Sequence, residues 1–384
     1  MVSTVKVFKK VAPNGKLTVY LGRRDFVDNT SSTDPIDGVV ICDDDYLKDR
    51  KIFASVTVTY RFGREEDEVM GLSFSKEMQL ICQQVYPSLM PVEPNDMQQR
   101  LMSKTGGNAH PFMVQLPEEA PVSVQLSSGS EQTTKPLGVI YELQVYVARD
   151  NVEIPHRRSS VTLAVRKVQY CPLDSPCRQP SAVVSKGFVF SSGKINLEVS
   201  LDKDVYYHDE PVSVDLTINN NSKKSVKNIK CAIVQHIEVT MINNHFTREV
   251  ASTDSKEGCP IGHKGMVKKN MSLIPQACNN RIKAGIALDG KVKDADANLA
   301  SSTLVGMGKD PNDALGIIVS YSFRIRLNCG ALGGELVADL PFKLMHPVSI
   351  AGETKTQSAS NAQDKKIEIE EFATFRRGFS VDQH

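Results

Sequence analysis

Three groups of charged residues have the types and positions to bind an anion. Lys9 and Lys10 follow an apolar alternating segment, residues 5–8. Arg166 lies among small residues on a later alternating segment, where an arginine must reach solvent or find a carboxylate. The third group is a loop, residues 288–296, that combines lysines with aspartates. Each group alone also fits a solvated surface. Because the formal net charge is only +1, an anion site has to arise from such local clusters.

Signatures of catalysis are missing from the sequence. It contains no GxSxG motif, no P-loop and no GxGxxG segment after a strand pattern. The eight histidines are dispersed, without the short spacing that is typical of zinc sites. Residues 43–45 are three aspartates, but they lack the glycine and later glutamate of an EF-hand loop, which favours a solvated turn. We therefore predict a binding protein that is not an enzyme and that uses no metal or cofactor.

Length and composition are typical of a folded two-domain protein. The chain has 384 residues, of which 40% are hydrophobic and 24% are charged. No segment reaches the roughly 18–20 apolar residues of a membrane span, and the N-terminal residues lack the apolar region of a secretory signal. The eight cysteines are scattered, mostly in apolar runs and without a CxxC pair, which predicts reduced thiols. These features predict a cytoplasmic location.

Alternating apolar residues dominate the pattern along the chain. The clearest alternating segments are residues 139–147, 161–165 and 317–327. This period of two is typical of antiparallel strands with one buried face. We predict an all-β fold of two antiparallel immunoglobulin-like β-sandwich domains, with a flexible C-terminal tail.

A single helical pattern and several composition changes predict the domain organisation. Asn95 to Lys104 fits one short helix, with Asn95 as its N-cap and Gly106-Gly107 at its end. Prolines cluster between 172 and 180, and strand patterns resume at Ile195. The predicted parts are an N-terminal domain (1–172), a hinge (173–186), a C-terminal domain (187–346), a flexible linker (347–366) and a tail strand with its extension (367–384).

Several longer segments resemble the arrestin family, in order and over nearly the whole chain. These segments are residues 20–28, 69–74, 165–169, 285–290, 298–303 and 341–347. The short tail and the absence of tryptophan are most similar to the arthropod visual or sensory branch. The resemblance implies binding to an activated, phosphorylated G protein-coupled receptor, rhodopsin in the sensory branch. It also implies that binding blocks G-protein coupling and terminates signalling, with recruitment of the protein to the receptor-bearing membrane of a photoreceptor or other sensory cell.

The resemblance also assigns roles to the charged groups. It implies an interdomain charge cluster, the polar core, made of Asp25, Arg166, Asp289 and Asp296. It implies receptor-phosphate contacts by Lys9, Lys10, Arg24, Lys104, Arg166 and Lys293. A phosphate carries a charge of about −1.5 to −2, so it can compete with the aspartates for Arg166.

Two further segments take roles from the same resemblance. The receptor-binding finger loop corresponds to Glu68, Val69, Met70, Gly71 and Leu72. The tail strand that holds the resting state is implied to dock through Ile367, Ile369, Phe372 and Arg376, and to be displaced by receptor phosphates.

The tail departs from the family pattern in a way that leaves two alternatives. Thr374 stands where most relatives have the arginine that completes the polar core. Either Arg376 or Arg377 takes that role, or the resting state is looser and depends less strictly on phosphate. Arg377 also begins an RxxS kinase pattern that ends at Ser380, a match that is common by chance.

Other partners follow less directly from the sequence. A clathrin adaptor is a candidate partner, although Ile369 stands where relatives have phenylalanine. A basic run could bind an anionic phosphoinositide or inositol phosphate, or could be a solvated strand edge. Its members are Lys223, Lys224, Lys227 and Lys230. The alternative function is an arrestin-fold trafficking or endocytic adaptor for membrane cargo, which has no need of a polar core or a finger loop. Nothing in the sequence indicates binding to nucleic acid.

Overall fold

The protein forms two compact units. Unit 1 comprises residues 1–123, 132–168 and 349–384, and unit 2 comprises residues 124–131 and 169–348. The structure is a computed structural model, and it describes residues 5–29, 32–63, 74–89, 92–106, 108–127, 137–171, 178–189, 191–277, 284–290, 298–304, 316–330, 333–347 and 367–371.

Strands make up most of the regular structure. In chain order they are β1 (Val5–Val11), β2 (Leu17–Leu21), β3 (Asp25–Asp28), β4 (Ile36–Cys42), β5 (Lys51–Arg61), β6 (Ser75–Tyr86), β7 (Ala109–Val114), β8 (Val124–Leu126), β9 (Leu137–Ala148), β10 (Ser160–Gln169), β11 (Ser181–Phe188), β12 (Ser191–Leu201), β13 (Val205–Tyr207), β14 (Val212–Asn220), β15 (Asn228–Val239), β16 (Asn244–Ser255), β17 (Gly265–Leu273), β18 (Ala287–Asp289), β19 (Ile317–Asn328), β20 (Glu335–Met345) and β21 (Ile367–Glu371). Short helices are α1 (Asp44–Leu47) and α2 (Asp96–Thr105), and single 3₁₀ turns lie at Arg157–Ser159 and Thr240–Ile242.

Unit 1 contains two sheets with alternating buried residues. The first has the strand order β21-β1-β2-β4-β7. In the second sheet, β9 pairs with both β5 and β10. β6 pairs with β5, and β3 is the neighbour of β10. Residues at every second position of β9 and β10 are almost fully buried, including Tyr141, Leu143, Val161 and Leu163. The predicted strands at 139–147 and 161–165 are thus confirmed.

Helix α2 begins and ends where the sequence predicts. The Asn95 side chain accepts from the Gln98 N–H, and the Gln98 side chain accepts from the Asn95 N–H, which completes a capping box. The helix then packs Leu101 against Val7 and neighbouring residues of the first sheet. Gln98 is completely buried, and its amide group donates to the carbonyl oxygens of Gly38 (2.8 Å) and Phe112 (2.9 Å). Helix α2 therefore contacts the sheet through both hydrogen bonds and apolar packing.

The sequence predicted only one helix, and this was wrong, because the structure contains a second helix, α1, of a single turn. Asp43 caps α1 by accepting from the Tyr46 N–H, and Asp44 and Asp45 lie in the first turn. Acidic side chains at these positions stabilise a helix N-terminus, so the aspartate triplet forms a helical turn rather than a plain solvated turn.

Unit 2 is also built from sheets with one buried face. One sheet has the order β11-β12-β14-β17, and the other has the order β13-β20-β19-β15-β16. Within the same unit, β18 pairs with β8. Alternate residues of β19, from Ile317 to Leu327, are buried as predicted. The all-β, two-domain β-sandwich fold is confirmed.

Strand formation resumes earlier in unit 2 than the sequence pattern indicated. We expected strands from Ile195, but β11 begins at Ser181, inside the segment predicted as a hinge (173–186). β11 lies at the edge of its sheet, and its residues alternate between exposed and half-buried rather than exposed and buried. An edge strand without fully buried positions lacks a strong apolar alternation, which explains the error.

The tail strand is present at the edge of unit 1. β21 pairs in parallel with β1, with Ile367 opposite Val5 and Glu371 opposite Lys9. The predicted edge strand that docks on the body of the protein is thus confirmed. None of the helices in the described part of the chain is long and apolar enough to cross a membrane.

Candidate functional site

Arg166 forms a bidentate ion pair with Asp25 within unit 1. It lies near the end of β10, and its Nε and Nη2 atoms donate to Asp25 Oδ1 (2.6 Å) and Oδ2 (2.5 Å) on the neighbouring strand β3. The Arg166 side chain is 15% exposed and that of Asp25 is 46% exposed. The backbone N–H of Arg166 donates to the Arg24 carbonyl (2.8 Å), which fixes the two strands beside each other. This planar arrangement holds a carboxylate and equally suits a phosphate.

A second ion pair joins the same two strands and was missed by the sequence analysis. Lys167 Nζ lies 2.8 Å from Asp28 Oδ2 and donates to the Ala120 carbonyl at 2.6 Å. The Lys167 side chain is 1% exposed and that of Asp28 is 12% exposed. The sequence did contain a signal that Lys167 is buried. In the alternating strand, Lys167 falls at the same alternate positions as the buried residues from Val161 to Val165.

The predicted phosphate-contact residues of unit 1 occupy three kinds of position. Lys9 and Lys10 are half-buried on β1, and Lys10 Nζ donates to the Thr162 carbonyl at 2.5 Å. Thr162 lies on β10, four residues before Arg166. Arg24 is 7% exposed, with its guanidinium 5.5 Å from the centre of the Phe8 ring. Lys104 is exposed in the last turn of α2. The structure therefore brings Lys10 to the strand that carries Arg166.

Strand β1 combines two predicted functions. Its residues Lys9 and Lys10 are the predicted first contacts for phosphate, and its backbone pairs with the tail strand β21. Ile367 and Ile369, two of the predicted docking residues, lie opposite Val5 and Val7 in this pairing. A ligand that moves β1 must therefore also affect the β1–β21 pairing.

Asp289, in unit 2, is bound by groups of its own unit. It ends β18 and is 7% exposed. Its Oδ2 atom lies 2.6 Å from His346 Nε2, and its Oδ1 atom accepts from the Ser301 N–H at 3.2 Å. His346 follows β20 directly and was not identified by the sequence analysis, although it stands in the segment that carried the resemblance.

Several predicted site residues lie outside the described part of the chain. They are Asp296 of the polar core, Lys293 of the phosphate contacts, the whole finger loop (Glu68, Val69, Met70, Gly71 and Leu72), and Phe372 and Arg376 of the tail. Their roles stay predictions.

The basic run of unit 2 is only partly available for a ligand. Lys223 and Lys227 are exposed, whereas Lys230 Nζ lies 3.0 Å from a carboxylate oxygen of Glu249. Lys224 is half-buried and its carbonyl accepts from the Asn220 side chain. The exposed lysines Lys223 and Lys227 are therefore the better candidates for binding an anionic ligand.

Two β-sandwich units, a tail strand paired with β1 and an arginine–carboxylate pair between β10 and β3 are the features of an arrestin-type protein. Residues 17–171 match the family model for the arrestin (or S-antigen) N-terminal domain, and residues 191–349 match that for the C-terminal domain. The chain therefore belongs to the arrestin family.

Relatives from arthropods are similar over almost the full length of the chain. Phosrestin-1 of Drosophila melanogaster is 51% identical over 383 residues, covering 100% of this chain and 95% of its own length. The lateral eye arrestin of Limulus polyphemus is 51% identical over 391 residues, covering 98% and 96%. An arrestin homolog of Locusta migratoria is 54% identical over 359 residues, covering 93% and 88%. These relatives confirm the predicted family and its arthropod visual branch.

Proposed function

We propose that this arrestin binds the activated, phosphorylated form of a rhodopsin-like G protein-coupled receptor and thereby blocks G-protein coupling. The Arg166–Asp25 pair carries the proposal, because a guanidinium that holds a carboxylate with two parallel hydrogen bonds has the geometry for phosphate. The protein acts in the photoreceptor cytoplasm, is recruited to the receptor-bearing membrane, and performs no catalytic step.

The ion pair is suited to exchange because it is only partly removed from water. Asp25 is 46% exposed, so separating it from Arg166 costs much less than breaking a fully buried pair. A receptor phosphate brings a charge of about −1.5 to −2 in place of the carboxylate's single charge. The phosphate therefore competes for Arg166, while Lys10, held at Thr162 on the same strand, adds a second positive charge. The predicted sharing of Arg166 with Asp289 and Asp296 stays a prediction.

The tail strand couples phosphate binding to the rest of unit 1. Lys9 and Lys10 belong to β1, whose free edge is covered by β21. A phosphorylated segment that draws these lysines towards it disturbs the strand on which β21 depends. We propose that receptor binding releases β21 in this way and that the released tail marks the active state.

Binding to photoreceptor membranes tests the proposal. The comparison uses light-activated rhodopsin, phosphorylated and unphosphorylated, with the unaltered protein and the variant Arg166→Gln. Arg324→Gln is the matched control, since Arg324 also pairs with an aspartate, Asp339 at 2.7 Å, but on unit 2. We expect phosphorylation to increase binding of the unaltered protein and of Arg324→Gln, and to have a much smaller effect on Arg166→Gln. Equal binding to both membranes by the unaltered protein contradicts the proposal.

The departure at Thr374 gives a second test of the switch. If Arg376 or Arg377 completes the polar core, replacing both with alanine weakens the resting state. The double variant then binds unphosphorylated active receptor better than the unaltered protein does. Unchanged binding indicates that neither arginine takes that role, and that Thr374 leaves the resting state looser.

Two additional partners are proposed from surface charge and family resemblance. Lys223 and Lys227 would bind an anionic phosphoinositide or inositol phosphate, for which each lysine near a charged membrane contributes about 1 kcal/mol. Lys223→Gln/Lys227→Gln should weaken binding to inositol hexakisphosphate more than Lys230→Gln does, because Lys230 is already paired with Glu249. Equal loss in both variants contradicts the assignment.

A clathrin adaptor would bind the tail after its release, and a tail peptide spanning residues 367–384 in a pull-down assay tests this contact.

A further inference from the structure

Three metal-binding side chains of unit 2 come together although they lie far apart in the sequence. His208, Asp289 and His346 each offer a ligand atom, and these atoms all lie within 4.8 Å of one another. The rings of His208 and His346 have their centres 4.5 Å apart. The sequence predicted no metal site, because its histidines lack the short spacing that is typical of zinc sites.

The fold places these side chains by backbone register rather than by chance surface contact. β13 pairs in parallel with β20, with Tyr207 opposite Met345, so the next residues, His208 and His346, are neighbours. The His208 N–H donates to the Met345 carbonyl (3.2 Å), which continues the pairing by one residue. Asp289 is the last residue of β18. Three separate strand ends thus hold the three ligands.

A second set of contacts orients the candidate ligands. Ser301 donates its backbone N–H to Asp289 Oδ1 (3.2 Å), and its hydroxyl lies 3.1 Å from His208 Nε2. The ring of Tyr170 stacks on that of His346, with centres 5.1 Å apart. Outer contacts of this kind fix the orientation of imidazole and carboxylate ligands in metal sites.

The cluster is largely shielded from water. The Asp289 side chain is 9% exposed and the His346 side chain is 15% exposed. Asp289 supplies the negative charge that stabilises a cation in such a site.

We propose that His208, Asp289 and His346 bind a single divalent transition-metal ion, for which Zn²⁺ is the best fit. Two imidazoles and a carboxylate are a common zinc donor set, with ligand bonds of about 2.0–2.2 Å. In tetrahedral geometry such ligand atoms lie about 3.4 Å apart. The His346–Asp289 distance of 2.6 Å has to open slightly and the longest distance, within 4.8 Å, has to shorten, which side-chain rotations can provide. A water completes the set of four ligands.

Metal titration of the full chain tests the site. The metal-free protein is titrated with Zn²⁺ against a chromophoric chelator, alongside His346→Gln, His208→Gln and the control His245→Ala. His245 is exposed and also lies beside another histidine, His236, with ring centres 6.0 Å apart, so it controls for loss of a paired histidine. We expect the unaltered protein and His245→Ala to bind one more equivalent than either cluster variant, with affinity falling at least about 100-fold in the variants.

Cobalt(II) separates this site from the cysteines. The chain has eight cysteines, and thiolate ligands give an intense charge-transfer absorption that imidazole and carboxylate ligands do not. We expect Co²⁺ to give visible bands without that absorption, and these bands to vanish in His346→Gln. Equal stoichiometry in the unaltered protein and both cluster variants overturns the proposal, as does a spectrum that is dominated by thiolate and unchanged in the variants. If one variant fails to fold, the other variant and the spectrum of the unaltered protein still decide. No receptor is present in these assays, so their outcome is independent of receptor binding.

Discussion

Loss of the Asp28 charge should destabilise unit 1 strongly. Lys167 Nζ lies 2.8 Å from Asp28 Oδ2 and 2.6 Å from the Ala120 carbonyl, and the Lys167 side chain is 1% exposed. Replacing Asp28 with asparagine keeps the shape of the side chain but leaves a buried ammonium without its compensating charge. Breaking a buried ion pair in this way costs about 3–5 kcal/mol. We expect a decrease of this size in the free energy of unfolding.

Equilibrium unfolding in urea measures this change. The chain contains no tryptophan, so the far-ultraviolet circular dichroism of its strands is the suitable signal. Because the protein has two units, hydrogen exchange of β3 and β10 identifies the transition that belongs to unit 1.

A matched surface pair provides the control. Arg324 Nε lies 2.7 Å from Asp339 Oδ1, but these side chains are 20% and 42% exposed. Water compensates for much of the loss at such a site, so Asp339→Asn should cost at most about 1 kcal/mol.

The double variant Asp28→Leu/Lys167→Met separates charge from packing. An apolar pair of similar volume often replaces a buried ion pair at little cost, so most of the stability should return. If Asp28→Asn costs no more than Asp339→Asn, or if the double variant is as unstable as the single one, the buried ion pair does not have this role.

Three smaller predictions test other parts of the structure. Asn95→Ala should cost about 1–2 kcal/mol and speed hydrogen exchange in α2, because the capping box is lost, whereas Asn95→Ser should retain most of the stability; equal effects of both would contradict this. Burial raises the pKa of Cys42 to about 11 and that of Cys231 to about 12, so mass spectrometry at pH 8 should find both thiols alkylated far more slowly in the native protein than in urea; similar rates would contradict the burial. Burial, with help from Arg324, lowers the pKa of His236 below 6.5, so the folded state takes up a proton less readily than the unfolded chain, and stability should fall as the pH drops below about 6.5. Urea unfolding at pH 7.5 and 5.5 should show a smaller fall in His236→Gln, and an equal fall in both proteins would count against this cause.

Local patterns predicted those parts of the fold that have a strong signal of their own. The alternation in β9, β10 and β19 and the cap residue Asn95 are each contained in a dozen residues or fewer. β11 was missed because an edge strand has no fully buried positions to alternate with exposed ones. The side-chain partners could not be predicted this way, since His346 meets Asp289 across 57 residues and Arg166 meets Asp25 across 141. Contacts between residues so far apart in the sequence depend on how the strands pair. A short segment of the sequence does not contain that information.

The pairing of β3 with β10 gives the proposed switch a fixed support. Arg166 and Lys167 are consecutive residues, so their side chains point to opposite faces of the strand. Arg166 binds Asp25 on the side where water reaches the carboxylate, and Lys167 binds Asp28 where water is almost excluded. The first pair can exchange its carboxylate for phosphate at modest cost, whereas the second is costly to break. A phosphate that takes Arg166 from Asp25 should therefore leave β3 attached to β10, so that the change is passed to β1 and its tail strand without unfolding the sheet that carries the sensor.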